Sequence, residues 1–564
     1  MLQIRRLRHR WTLRLLASAT AAATAGSLPA TDPAGPGVRL STVGYLPDSP
    51  KQATVVGADD AESFALIDAS SQETALSGSL GPVTASPETD EQARTADFSG
   101  FRQSGSYILR VPGLPDSPAF TIGDQSLNHS LECLMAGFYG QRCGQAVKLT
   151  WNGNTYSYPA CHLEDGYLDY NDPARAGERQ DGTGGWHDAG DYGKYTVNSA
   201  FTSGVMLAAW EKHAAALGQL ELPMIPEHGG ALPDYLAELK YNLDWQLKMQ
   251  MPNGEVAHKL TTLHFGGMVL PHQNPAPRYF SPNSRYATES FAALGCMIAR
   301  VYAPFDAAYA QTWLDAAQRA WVAARAMPVE HPDTSMFSTG GYFADPASNH
   351  QWGLLELSLA FGTDFLTADE QAELAAILSS AEPIFEVDWG WGNAGNLGLL
   401  SWLASDTAAA DPTTRAHLVA DLQRAADAIV VRSQQHAYGR ATPHNFWGVN
   451  GAIANFAVLL DAAHRETDAA IYRDTAFNQV AYLYGRNPFA RSFVTGDGHE
   501  PPLHPHHRPS AGDDIDAPWP GHLVGGPNPK ETDWFDEMPS YRTNENAINW
   551  DASMVYALAM FYQP

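Results

Sequence analysis

The hydrophobic period of this chain changes near Ser126, and that change limits what it can fold into. Residues 38–124 hold short β-rich runs, ATVVG, FALID, YILRV and AFTI, separated by Pro, Gly, Ser and Asp. Such runs bounded by turn residues read as strands, and about 85 residues suits an immunoglobulin-like β-sandwich. From Ser126 onward, Ala- and Leu-rich stretches recur with a period near 3.6 residues. Leu232, Leu236, Leu239, Leu243 and Leu247, for example, lie on one helix face. Twelve helices are predicted, near residues 126–142, 195–217, 231–251, 285–303, 307–327, 349–362, 367–381, 394–405, 413–433, 449–464, 468–484 and 547–562. Short and long connections alternate between them. That suits a ring of helical hairpins, an all-α (α/α)6 barrel, although pattern alone does not establish closure. The expected organisation is a signal and linker over 1–37, the sandwich over 38–124 and the barrel over 125–564.

Charge excludes partners more than it selects them. A net charge of −27 repels nucleic acid and other anionic substrates, whereas an uncharged polysaccharide is indifferent to that field. No run of about 18 apolar residues follows the N-terminus, so no membrane span is expected. Arg5, Arg6, Arg8 and Arg10 precede a moderately apolar stretch from Trp11 to Ala25, then small residues and PATDPAGPG. This reads as a secretory signal and predicts export to the periplasm or the medium; a disordered basic tail is the alternative.

Three segments carry chemistry. In GTGGWHDAGDYGKY, residues 182–195, Asp188 and Asp191 stand three apart between glycines, just before a helix. At that spacing both face one point, and helix N-terminal amides would favour their ionised forms. Asp in a Gly-rich turn is also a common N-cap. In residues 492–510, His504, His506, His507 and Arg508 crowd a loop stiffened by Pro, able to present donors to hydroxyls. In residues 534–561, Glu545 stands before an apolar helix, a place where acids are often only structural. A carboxylate pair and a distant carboxylate form the set that glycoside hydrolysis needs: an acid for the leaving oxygen and a base for the water.

Loop aromatics are candidate sugar platforms, and Trp389, Trp391, Trp447 and Tyr541 are singled out; each Trp serves equally well as core. Cys143, Cys161, His162 and His187 form a ligand set suited to tetrahedral, four-ligand structural zinc, with a Cys143–Cys161 disulfide as the alternative. Cys133 and Cys296 lie in apolar helical stretches and read as core thiols.

The stretches GGWHDAGDYGKY, YGRNPFARSFVTGDG with PHHRPS, and DEMPSYRTNENAINWDASMVYALA resemble, in order, glycoside hydrolase family 9, in its bacterial cellulase type with an N-terminal immunoglobulin-like domain. The resemblance implies the (α/α)6 barrel and an inverting mechanism. Asp191 takes the place of the base, Asp188 that of the residue holding the water, and Glu545 that of the general acid. His506 and Arg508 match a PHxR element beside the scissile bond. HNFWGVN, with Trp447, resembles a substrate loop, and Tyr541 matches the family pattern near the cleavage point. The four Cys and His residues match the family's zinc ligands. Burial and nearby negative charge would raise the Glu545 carboxyl, while donors keep Asp191 ionised.

The chain also departs from the family. Asp551 stands where Asn is usual, and Glu500 where a basic residue or Asn is preferred. Asn349 and His350 replace an Asp-Glu pair that helps bind calcium in many relatives, so calcium is not carried over to that place. The resemblance implies an endo-acting β-1,4-glucanase, expected as a monomer without organic cofactor. An exo-acting glucanase, cellobiohydrolase or glucosaminidase, a carbohydrate-binding protein with a dead site, and a zinc hydrolase are the rivals. No cellulose-binding module is read after the last helix, which favours soluble chains.

Overall fold

A computed structural model describes residues 31–58 and 60–564. The secretory signal read at the N-terminus lies outside the described residues.

The four sequence-predicted strand runs are all present. The first domain has eight strands: β1 (Gly37–Arg39), β2 (Gln52–Val56), β3 (Ser63–Asp68), β4 (Thr74–Ser79), β5 (Thr84–Ser86), β6 (Glu91–Asp97), β7 (Gly105–Arg110) and β8 (Phe120–Ile122). They pair into two sheets, β1-β2-β6-β5 and β4-β3-β7-β8. Alternation selects the core, since Tyr107 and Leu109 of β7 point inward while Arg110 faces out. The ring of Phe98 lies 5.4 Å from that of Tyr45, 6.4 Å from Phe64 and 5.7 Å from Phe120, closing the space between the sheets. The domain is docked on the helices. Thr54 donates to the carbonyl of Ala437 (2.8 Å) and the Tyr45 ring stacks on Phe477 (5.7 Å). Buried Arg39 pairs with Glu91 at 2.7 Å and also meets Tyr438, so its charge is compensated.

Among the described residues, twelve helices of nine residues or more follow, and each overlaps a predicted one. Thr196–Leu217, Arg285–Tyr302, Gly395–Leu403, Val449–Thr467 and Ile548–Ala559 are buried along most of their length. Others bury one stripe. Ala307–Ala324 turns Ala310, Trp313, Ala317, Ala320, Trp321 and Ala324 inward and is capped by Asp306, which accepts from the Tyr309 amide. Thr196–Leu217 packs between Arg285–Tyr302 and Ile548–Ala559. One boundary differs from expectation: Pro233 sits at the N-cap of Asp234–Lys248, so Leu232 lies before the helix whose face it was read to share.

The second domain is not purely helical. It carries a hairpin, Val147–Trp151 with Asn154–Tyr158, and a small sheet of Lys194–Tyr195, Lys259–Thr261 and Tyr279–Phe280. Strands of two to five residues with distant partners leave no periodicity to read. The small sheet positions the site, because Lys194 and Tyr195 directly follow the carboxylate pair. No helix among the described residues is long and apolar enough to cross a membrane.

Candidate active site

Three segments far apart in sequence meet through their backbones. Ala189 bridges Ala547, and His506 bridges Glu545. The Arg508 amide donates to the Gly190 carbonyl (3.0 Å), and the Ile548 amide to the Asp188 carbonyl (2.8 Å). Asp188, Asp191, His506 and Glu545 are thereby gathered in one place. The close approach explains Gly190. A Cβ there would stand 1.9 Å from the carbonyl oxygen of His506, a backbone atom with no room to yield. Gly190→Ala is therefore expected to displace the pair and lower kcat by about 100-fold, the scale of a 1 Å misplacement. Circular dichroism should remain native, and wild-type kinetics for this variant would contradict the assignment.

The carboxylates differ in environment. Asp188 is buried and accepts from Asn198 Nδ2 (2.7 Å) and Tyr342 Oη (2.6 Å). Burial, reinforced by the charge of Asp191, nevertheless pushes it up to about 8. Asp191 accepts from the Gly193 amide (2.9 Å) and from Tyr195 Oη (3.0 Å). This corrects two expectations. The donors to Asp191 come from the turn and from Tyr195, not from helix N-terminal amides, and the Asp188 carboxyl is raised, so its ionised form is disfavoured. Glu545 is half-buried, and burial followed by the charges of Asp191 and Asp188 raises its carboxyl well above the usual range, as expected for an acid that must keep its proton.

Of the crowded histidines, only His506 belongs here. It is half-buried, and its Nδ1 lies 2.7 Å from the Met538 carbonyl oxygen. His504 is exposed, and His507 faces away, with its ring 4.5 Å from that of His522. Arg508 is buried and directs its guanidinium at the carbonyls of Gly190 (2.7 Å) and Gly266 (3.1 Å). It braces the loop beside the carboxylates.

Beside the carboxylates opens a cavity of about 550 Å³ lined by Trp389, Trp391, Phe446, Trp447, Asn549 and Trp550, among others. Asn549 connects the two, since its Oδ1 accepts from Asn198, the residue that also holds Asp188. Trp447 is 47% exposed and meets Tyr541 edge-on at 5.3 Å; Tyr541 in turn lies 5.9 Å from His506. Trp391 packs edge-on against Tyr342 at 4.9 Å. Trp389 is only 6% exposed, so most of its side chain is core although it lines the cavity. Tyr342, Asn198 and Tyr195 were not anticipated. The one local signal is at Tyr342, which follows Gly340 and Gly341 and holds a left-handed φ of +49°, a strained backbone of the kind found at functional sites.

Cys143, Cys161, His162 and His187 also come together, with one ligand atom of each within 4.8 Å of all the others. Cys143 Sγ lies 3.6 Å from His162 Nδ1, and Cys161 Sγ lies 3.9 Å from His187 Nε2. Both thiols are free, so the disulfide alternative is not adopted. His162 reaches the group through a positive φ of +50°. Two sulfurs and two imidazole nitrogens converging on one point fit a tetrahedral metal.

The departures lie outside the cavity lining. Asp551 is buried and accepts from the Leu523 amide at 2.7 Å, so it braces backbone. Glu500 is exposed near Arg491. Asn349 donates to Ser290 (2.7 Å), and His350 pairs with Glu289 (2.8 Å).

Comparison with known proteins agrees with this architecture. Residues 128–558 match the model of glycosyl hydrolase family 9, and residues 33–116 match the cellulase N-terminal ig-like domain. The chain is 37% identical over 531 residues to endoglucanase D of Acetivibrio thermocellus, covering 93% of this chain and 83% of that protein. It is 33% identical to a xyloglucan-specific endo-beta-1,4-glucanase of Bacteroides ovatus, covering 92% of each. A solved structure of a zinc-binding triple mutant of a family 9 endoglucanase superposes with a TM-score of 0.83 at 30% identity, covering 92% of this chain and 99% of that one. With its catalytic-domain match spanning most of its length behind an immunoglobulin-like domain, the chain belongs to glycosyl hydrolase family 9.

Proposed function

We propose that the protein is an exported, endo-acting hydrolase of β-1,4-glucans that inverts the anomeric centre. Asp191 is the base that deprotonates the attacking water. Asp188, held by Asn198 and Tyr342, orients that water. Glu545 protonates the leaving oxygen, and His506 with the aromatic cavity positions the chain. The observation that carries this reading is the backbone meeting of the three segments, which gathers the aspartate pair with a carboxyl raised by burial and by their charges. A neutral substrate suits the charge of −27.

The same reading extends to the frame. The twelve helices form an (α/α)6 barrel over residues 125–564 behind a sandwich over 38–124, supported by the packing of the buried helices side by side. Cys143, Cys161, His162 and His187 hold one zinc ion as a closed structural site. Such an ion supplies cross-linking and no reactive water, because all four positions are protein ligands. Its use here is to brace His187, the residue before Asp188. The basic, apolar N-terminus directs export, and the protein works as a monomer.

A timed digestion of carboxymethylcellulose tests the activity. Viscosity is expected to fall well ahead of reducing-end release, and Asp191→Asn to remove roughly 10²–10⁴-fold of the rate. Release of one small sugar at constant viscosity would replace the endo reading by an exo one. Absence of any Asp191-dependent product would end the hydrolase reading.

A further inference from the structure

We infer that Phe265 is a sugar-stacking platform on the opposite side of the scissile bond from the tryptophan-lined cavity, an inference that rests on the glucanase reading above. Phe265 is 51% exposed. Burying such a ring is worth about 1.5–3 kcal/mol, so an exposed one held rigid invites a partner. It is held rigid from both sides. The ring of His264 lies 3.0 Å from Ser338 Oγ, and the Gly266 carbonyl accepts two bonds from Arg508, at 3.2 and 3.1 Å. The Arg508 guanidinium also sits 5.6 Å from the Phe265 ring centroid, and the same guanidinium donates to Gly190, between the two aspartates.

The segment from Ser338 to Tyr342 orders these groups along the site. At its start, the Ser338 amide donates to the carbonyl of Leu263, in the loop that carries Phe265 (2.8 Å). Next, the Gly340 amide donates to Tyr195 Oη (3.1 Å), whose own proton goes to Asp191. At its end, Tyr342 donates to Asp188 and packs on Trp391, a wall of the cavity. This path of contacts joins the loop of Phe265 to Asp191, Asp188 and Trp391 in turn, and on it we place Phe265 beyond Asp191, away from Trp391. A glucan lying on both aromatic groups has its reacting bond over the carboxylates and sugars bound on each side, as cleavage within a chain requires.

The test is hydrolysis of reducing-end-labelled cellohexaose by wild type, Phe265→Ala, Phe265→Trp and Trp447→Ala, with KM, kcat and the bond cleaved recorded together. Phe265→Ala is expected to raise KM by roughly 3- to 10-fold with an unchanged unfolding temperature, and Phe265→Trp to restore it. The preferred bond should move in opposite directions in Phe265→Ala and Trp447→Ala. A wild-type KM and cleavage position in Phe265→Ala, or a shift in the same direction as Trp447→Ala, overturns this inference and leaves the glucanase reading intact. Absence of Asp191-dependent cleavage by the wild type overturns both.

Discussion

Glu545→Gln is expected to lower kcat on cellotetraose by roughly 10²–10⁴-fold, the contribution of a general acid, while leaving hydrolysis of a dinitrophenyl cellobioside close to wild type. The reason is the leaving group. A sugar hydroxyl departs only with a proton, whereas a dinitrophenolate departs without one. Asp191→Asn, by contrast, should depress both substrates, because each still needs an activated water. The two variants together separate acid from base without reference to any other protein. The pH dependence has a definite sign. The Glu545 carboxyl sits well above the ordinary range, because burial and the negative charges of Asp191 and Asp188 disfavour its ionised form. It therefore holds its proton to higher pH than an ordinary glutamic acid, and cellotetraose hydrolysis should fall as pH rises through that raised value. This alkaline limb should vanish for dinitrophenyl cellobioside. An equal loss on both substrates in Glu545→Gln, or an alkaline limb common to both, would remove Glu545 from the acid role. Product anomers followed by NMR at early times should show inversion.

Removal of the proposed zinc should have the largest effect on stability. Four ligand atoms within 4.8 Å of one another are a liability without an ion, since two buried thiols and two imidazoles then have only long, weak contacts with each other. The far ring nitrogens, His162 Nε2 and His187 Nδ1, have no protein partner. The purified protein is expected to carry one zinc per chain. Stripping it with a strong chelator, or replacing Cys161 by Ser, should cost about 4 kcal/mol for a site normally held at 1,000 times its Kd, seen as a fall of several degrees in unfolding temperature. Activity should decline with it, because His187 is contiguous with Asp188 and ligand geometry sets the loop. Protein free of metal that unfolds at the same temperature with and without chelator would refute the site.

The elements of this fold were legible in sequence because each depends on neighbours in the chain. Helix periodicity and short β-rich runs bounded by turn residues are local properties, and among the described residues they located all twelve long helices and the four recognised strands. The Gly-rich carboxylate loop, the histidine loop and Glu545 were legible as chemistry, and the four ligands as a metal-binding type. Other features depended on which distant residues pack together. Tyr342 reaches Asp188 from 154 residues away and Arg508 reaches Gly190 from 318, and neither bond leaves a trace in local pattern. Desolvation likewise belongs to the assembled molecule: it overrides two hydrogen bonds to raise Asp188, and raises Glu545 with the help of its neighbours' charges. The sequence by itself determined the periods, the turns and the set of reactive side chains. Only the tertiary structure decided which of them meet, which lose their water, and which aromatic rings stay exposed, because those properties arise from packing between segments that are remote along the chain.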